Sequence, residues 1–360
     1  PQPPQWLVHE VHQRAVLFIN HVLMQEPEAM ERMRRQKGRV ALVQWRAYSM
    51  ALVVTPAGLL NLAREGALPD LRLEVTETSP LSLAQTAINE TRPLDARGRV
   101  DISNIKGRIE VRGWERNEVQ VTGTLGKGVE KLDIDGSGPQ VSIEVRYPKG
   151  GWGGDRAGPT DLVVMVPLRA DLEIESVAAD VHVTGLASGE LSVNTVSGSV
   201  VAAAAPRKAD VETVSGNATL TLNSDDVGVA TVSGAIQLRG RLSGEIDAET
   251  VSGRIAVAVN GEKVRDLSAS TVSGRVEVST ALAPGGEISM ESVSGDLVLR
   301  LPADVSAQVS GESFSGRLKA TGVTIEKRRG PGSSFSTRYG SGSGRVTLET
   351  FSGSAEVRVE

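Results

Sequence analysis

Asp133-Ile134-Asp135-Gly136-Ser137-Gly138, followed by Glu144, is the part of this 360-residue chain that comes nearest to a metal site. It places oxygen-bearing side chains at alternate positions, glycine sixth and glutamate twelfth, as a calcium loop does. Two features oppose that chemistry. Gln140 stands where an apolar residue is expected, after Pro139, and the flanks 131–134 and 141–145 alternate as strands do, so the stretch reads as a β-hairpin turn. His9 and His12 are three apart on a predicted helix, a spacing that can hold a metal. Neither has a carboxylate or a further histidine near it in sequence, and the pair reads as a polar helix flank. A Ser-Gly dipeptide recurs eight times in one context, and each copy suggests a nucleophile. A serine needs an adjacent base, and the repeat region holds a single histidine, His182. Residues 123–128 contain Gly-Lys but lack the spacing and the Ser/Thr of a phosphate loop. Lys327-Arg328-Arg329 could touch an acidic polymer, but with the Gly/Ser stretch after it reads as a loop. The expectation is therefore no catalytic residue, no cofactor, no metal, and no enzyme.

The serines lead to the architecture that must hold them. Thr195-Val196-Ser197-Gly198 returns at 213–216, 231–234, 250–253 and 271–274, then as 292–295, 313–316 and 350–353. The repeat glycines are Gly198, Gly216, Gly234, Gly253, Gly274, Gly295, Gly316 and Gly353, first 18–21 residues apart and finally 37. That last gap has room for an extra rung or an inserted hairpin. Weaker echoes stand upstream at 176–179 and 104–107. Two residues after each glycine the chain is apolar (Val200, Ala218, Ile236, Ile255), and four after it is apolar again (Ala202, Leu220, Leu238, Val257). That period of two marks a strand with one buried face. Five and seven residues before the glycine, pairs such as Leu191 with Val193 and Ala209 with Val211 form a second strand. Its parity does not match the residue two before glycine, so the chain turns a corner there. No repeat can bury its own face alone; stacked repeats bury them all. The fold class predicted is mainly β, a β-solenoid of 18–21-residue rungs, with the Thr and Ser columns stacked as hydroxyl ladders.

Composition agrees. Aromatic residues make up 3% of the chain and it holds 39 glycines, which suits thin layers filled by small β-branched side chains. A net charge of −5 argues against general affinity for nucleic acid. The absence of cysteine excludes disulfides and thiolate metal sites. No apolar run approaches the length of a membrane span. The chain opens on Pro1, which is compatible with an export signal upstream.

The Thr-Val-Ser-Gly repeats, the entry 89–98 (Asn-Glu-Thr-Arg-Pro-Leu-Asp-Ala-Arg-Gly) and the ending Ser343-Gly344-Arg345-Val346 resemble the bacterial putative-adhesin family, over about residues 89–360. The resemblance implies a repetitive β-helix-like domain, export, and a surface role. The first 88 residues differ in character. Leu7, Val11, Ala15, Phe18, Val22 and Leu23 share one helical face, and strand-like runs follow at 40–45, 48–54 and 71–75, so an α+β unit is predicted for 1–88. The run 19–27 (Ile-Asn-His-Val-Leu-Met-Gln-Glu-Pro), with Lys37-Gly38-Arg39-Val40 and Pro69-Asp70-Leu71-Arg72-Leu73, resembles the ubiquinone-biosynthesis accessory factor family over about 15–88. That family begins with a sterol-carrier-type lipid-binding domain, here truncated where the adhesin-like sequence takes over at Asn89. Two domains are expected, 1–88 and 89–360, as a fusion.

Two function classes follow. One is a non-catalytic envelope scaffold whose long faces bind a polymer or protein surface, periplasmic or at the cell surface. The other is a lipid-handling accessory role in ubiquinone biosynthesis, cytoplasmic, with an isoprenoid lipid held by the N-terminal unit. A polysaccharide-cleaving enzyme would need clustered carboxylates over a groove, and the sequence reading finds none. Outward positions such as Ser192, Thr219 and Gln237, with Arg254, Arg275 and Glu277 among them, are the expected contact surface.

Overall fold

The computed structural model describes residues 86–148, 157–327 and 332–360, and every element among them is a strand. The predicted helices, His9 and His12, and the segment resembling the ubiquinone-related family up to residue 85 lie outside the described residues. So do Arg328 and Arg329. The early strands are β1 (Thr86–Trp114), β2 (Glu118–Leu125), β3 (Lys131–Arg146), β4 (Thr160–Pro167) and β5 (Asp171–Thr184). Next come β6 (Glu190–Thr195), β7 (Val200–Ala204), β8 (Lys208–Thr213), β9 (Ala218–Thr231), β10 (Ile236–Thr250), β11 (Ile255–Thr271) and β12 (Val276–Ser292). The chain ends with β13 (Leu297–Leu301), β14 (Ala307–Ser313), β15 (Leu318–Ala320), β16 (Glu326–Lys327), β17 (Ser333–Tyr339), β18 (Gly344–Thr350) and β19 (Ala355–Val359).

Burial follows the alternation. In β6, Leu191, Val193 and Thr195 are buried while Ser192 and Asn194 between them are partly exposed. Equivalent residues stack in parallel register: Val193 beside Val211 and Val211 beside Val229 on one sheet, Ala202 beside Leu220 and Leu220 beside Leu238 on the other. The strand before each glycine joins the first sheet and the strand after it joins the second. Their apolar sides meet in one continuous core. The upstream echoes are true rungs, with Asn104 beside Ser176 and Gly107 beside Ala179. Rung length varies at the edge opposite the glycines. Three residues, 223–225, separate the two strand sets there in one rung, and six, 260–265, in a later one. The longer turns bring in Leu242, Val264 and Leu282, which are buried beside the core.

The stacking order departs from chain order at the C-terminus. Sequential stacking would lay the rung of Gly316 on that of Gly295. Instead β12 and β13 pair with β18 and β19, and these pair in turn with β14 and β15. The last rung is thus inserted between two earlier ones. The long final gap is filled by β16 and β17; β17 runs antiparallel to β14 and closes the first sheet's outer edge. At the other end β2 runs antiparallel to both β1 and β4. Such antiparallel closures cover strand edges that would otherwise recruit other chains.

Candidate functional site

The corner of each rung is built by its Thr-Val-Ser-Gly phrase. The threonine hydroxyl, buried three residues before glycine, accepts the glycine N–H, as in Thr213 Oγ1 from Gly216 N at 3.0 Å and Thr271 Oγ1 from Gly274 N at 2.9 Å. The serine hydroxyl, exposed one residue before glycine, donates to the carbonyl of the residue between Thr and Ser in the neighbouring rung, as in Ser197 to Val177 O at 3.1 Å, Ser294 to Val272 O at 3.2 Å and Ser315 to Phe351 O at 3.3 Å. The expected hydroxyl ladders are therefore corrected. The columns stack, but each hydroxyl serves backbone: one secures its own turn, the other bridges to the next rung. A hydroxyl reaches only about 3 Å to an acceptor, and rungs lie about 4.8 Å apart, so backbone groups are the nearer partners. The repeat serines donate to carbonyls, not to a base.

The glycines stand where rungs touch. A Cβ on Gly274 would lie 1.6 Å from the carbonyl oxygen of Gly253, and one on Gly216 would lie 1.9 Å from that of Gly198. Gly198, Gly234, Gly253, Gly295 and Gly353 repeat the geometry, and Gly316 meets Gly353 O rather than Gly295 O, which restates the inserted final rung.

The residue between Thr and Ser lies along the same corner. It runs Ile105, Val177, Val196, Val214, Val232, Val251, Val272, Val293 and then Phe351 and Phe314, all at least partly exposed. The two phenylalanine rings stack at 4.8 Å between centroids.

The other sequence candidates find structural employment. Val141 to Glu144 pair with β1, Glu130 N bonds Arg146 O at 2.9 Å, and Gly136 and Gly138 take φ of 92° and 71°. The calcium-like stretch is thus a hairpin. Asp133 is engaged by Lys131 at 2.8 Å and Arg146 at 2.6 Å. In the glycine-rich turn, Gly126 N donates to Thr160 Oγ1 at 3.0 Å. A recess of about 50 Å³ near Lys263, Leu282, Pro302 and Ser306 is far below the several hundred Å³ of a small-molecule site.

The outward sides of the sheets carry the chemistry that is left. On the second sheet Thr219 and Gln237 are exposed, and arginines gather toward the C-terminal rungs. Arg254 reaches Glu277 at 2.5 Å and Arg275 reaches it at 3.5 Å. The hydrogen bond from Arg254, with Arg275 and Arg300 nearby, holds the Glu277 carboxyl below its ordinary pKa. Ser354, through its hydroxyl and N–H, holds Asp296 down too, with help from Arg275 and Arg317. Arg358 does the same for Glu356.

On the first sheet, outward positions four and six residues before the glycine are rich in carboxylates. They include Glu173 and Glu175, Asp210 and Glu212, Asp247 and Glu249, and Glu291, Glu349 and Glu312 in the last rungs. Glu349 is pushed above its ordinary pKa, by burial first and by Glu312 second. Arg99 bonds both Asp101 and Glu173, which raise its pKa. Sequence reading missed this acidic face because it followed outward residues mainly after the glycines. Tabulating the four-before column would have exposed it.

A family model, Toastrack DUF4097, matches residues 69–287, more than half of the chain. The chain belongs to that family. The Toastrack match begins inside the segment 15–88 assigned to the N-terminal unit, and it ends before the rungs of Gly295, Gly353 and Gly316, which continue the same stack. No curated protein matches the chain. Among solved structures, a putative adhesin from Parabacteroides distasonis is 12% identical, with 76% of this chain and 97% of that chain covered and a TM-score of 0.44. A putative adhesin from Parabacteroides merdae is also 12% identical, covering 75% and 95% with a TM-score of 0.44. A putative lipid binding protein from Parabacteroides distasonis is 13% identical, covering 75% and 96% with a TM-score of 0.43.

Proposed function

We propose that this chain is a non-catalytic binding scaffold of the bacterial cell envelope, periplasmic or at the cell surface. The observation that carries the reading is the outward side of the second sheet, where residues such as Thr219, Gln237, Arg254 and Arg275 stand exposed level after level. Ten levels, from Gly107 and Ala179 through the eight repeat glycines, stack in parallel register. At about 4.8 Å per level they run for about 43 Å. Outward residues repeat at every level, so an extended polymer or a protein surface meets many similar shallow contacts. Each contact is weak and their sum is not, because the later ones form intramolecularly. The engagement of the repeat serines with backbone carbonyls of the neighbouring rung supports a role without turnover. The domain division belongs to the same proposal, with its boundary shifted: Thr86, Ala87 and Ile88 pair with β2 as the start of β1, so the scaffold begins at about residue 86 and the residues before it form a unit of their own.

The test is retention. The full chain coupled to beads should hold an envelope polysaccharide or envelope protein better than a variant whose outward residues are shuffled while the corner phrases are kept. Equal retention by the two, or cleavage of a glycan that persists through repurification, would overturn the reading.

A further inference from the structure

Charge on the outward side of the second sheet is gathered in one half of the stack. Outward positions there lie one, three and five residues after each glycine. At the levels of Gly198 and Gly216 they hold residues such as Ser199, Ala203, Thr219 and Thr221, and no charge. From the level of Gly234 to that of Gly316 every level carries a cation. These six levels run for about 24 Å at about 4.8 Å per step. Arg254 and Arg275 meet Glu277, and Arg358 meets Glu356 at 3.1 Å. Arg239, Arg300, Arg317 and Lys319 have no ion pair or side-chain hydrogen bond among the described residues, and all four are at least partly exposed. Glu277, Asp296 and Glu356 are held low first by hydrogen bonds from Arg254, Ser354 and Arg358, and then in part by the fields of Arg300, Arg317 and Lys319. Seven cations thus face three carboxylates, a surplus of four positive charges on a chain whose net charge is −5. The places between them are taken by small side chains such as Ala256, Ala258 and Ser279, and no aromatic or exposed large apolar residue stands among them.

We propose that this cationic half of the second sheet binds a linear anionic polysaccharide, which bears its carboxylates along the chain and lies along the stack. Charge complementarity is the argument for the occupant, and the side chains around the charges narrow it. A guanidinium gives a carboxylate two parallel N–H bonds, and all but one of the cations are arginines. Arg254 and Arg358 each commit a terminal nitrogen to a glutamate. That pairing steadies the side chain and leaves others of its five N–H donors for a ligand. Single-stranded nucleic acid needs aromatic platforms for its bases, and a membrane surface is gripped by apolar side chains that insert beside the cations. The strip offers neither. Glu277, Asp296 and Glu356, set among the cations, oppose the dense phosphate charge of a duplex and suit a polymer whose charges are spaced apart. Past the strip the same polymer runs onto the uncharged levels, where the exposed Thr219 and Thr221 present hydroxyls to its sugars. The attraction acts through exposed charges and weakens as salt shortens the screening length to about 10 Å at 0.1 M. The inference rests on the scaffold reading and names the chemistry of its partner.

Calorimetric titration of the full chain with alginate fragments, which carry one carboxylate on each sugar, tests it against carboxyl-reduced fragments of the same length. Alginate should bind at low ionic strength and be released by high salt, and the reduced polymer should bind at least about tenfold more weakly. Arg239→Gln/Arg300→Gln/Lys319→Gln should keep the natural circular dichroism spectrum and lose at least about tenfold in alginate affinity. Arg97→Gln/Lys127→Gln/Arg169→Gln makes an equal change of charge at exposed positions away from these levels, and should bind alginate as the natural chain does. Alginate that fails to bind at millimolar concentration and low salt overturns the proposal, as does an equal loss in the two variants. Reduced fragments that bind as tightly as alginate overturn it too and leave the scaffold reading standing; failure of the bead retention test rejects that reading separately. Tighter binding of single-stranded DNA or of anionic phospholipid vesicles than of alginate, lost in the Arg239→Gln/Arg300→Gln/Lys319→Gln variant, gives the strip to another polyanion and overturns the proposal as well.

Discussion

Replacing Gly274 with valine should destabilise the solenoid by several kcal/mol, and the structure supplies the reasons. The new Cβ would sit 1.6 Å from Gly253 O, whereas a carbon and a carbonyl oxygen come no closer than about 3.3 Å. Relief requires two rungs to part by about 1.7 Å, or the corner to rotate. Overpacking on this scale costs about 1–3 kcal/mol. Parting the rungs also stretches the bond from Ser273 N to Val251 O, now 3.0 Å, and rotation weakens that from Gly274 N to Thr271 Oγ1, now 2.9 Å. Each is worth about 1 kcal/mol, so the sum is about 2–5 kcal/mol. Ser199→Val provides the control, because Ser199 follows a repeat glycine and is partly exposed; its cost should stay below about 1 kcal/mol. Urea denaturation followed by far-ultraviolet circular dichroism compares the two. Equal midpoints for Gly274→Val and Ser199→Val would refute the close contact between rungs.

Thr250→Val should cost about 1–3 kcal/mol by leaving the Gly253 N–H without its acceptor, while Thr250→Ser, which keeps the hydroxyl, should cost less; the same denaturation series reads both. The final-rung order can be mapped by disulfides, since the chain contains no cysteine of its own. Val298 lies beside Glu356, so cysteines at 298 and 356 should oxidise readily, whereas 298 and 319 lie two rungs apart, about 9.6 Å, beyond disulfide reach. Efficient closure of the 298–319 pair would restore sequential stacking. The carboxyls of Glu277, Asp296 and Glu356 titrate below their ordinary range, so their stabilisation is present above the unfolded pKa and lost as pH falls through the lowered folded values. Glu349 has the opposite sign: with its pKa raised, stability falls as pH rises from the unfolded pKa to the folded one and the full cost is present above both, so Glu349→Gln should raise the urea midpoint at pH 7 and leave it nearly unchanged in acid. Residues 84–360, tested as a fragment, should fold with strand-rich circular dichroism if the proposed division of the chain is right; a fragment that stays unfolded while the full chain is stable would reject it.

Much of the fold was legible in the sequence because one phrase states the rung. Val211 and Val229 had to face inward by their parity, and the glycine between strands had to mark a corner. The order of the last rungs was not legible for the same reason. Phrases so alike can neighbour one another in any sequence, and only the pairing of β18 with β12 and β14 reveals the insertion. The acidic face escaped because carboxylates such as Glu249 and Glu291 stand in a polar column four residues before the glycine, which the apolar periodicity does not single out. The direction of the threonine hydroxyls, inward to their own glycine N–H, depends on corner geometry that periodicity does not encode.

The central claim is that long flat faces hold an extended partner through many weak contacts without consuming it. Titrating the full chain with envelope-type polysaccharide fragments of graded length, by calorimetry, tests this most directly. Affinity should strengthen with fragment length up to about 43 Å, the run of the ten stacked levels, and level off beyond it, with every fragment recovered intact. Affinity that is already maximal for the shortest fragment, or steady depletion of fragments during the titration, would contradict it.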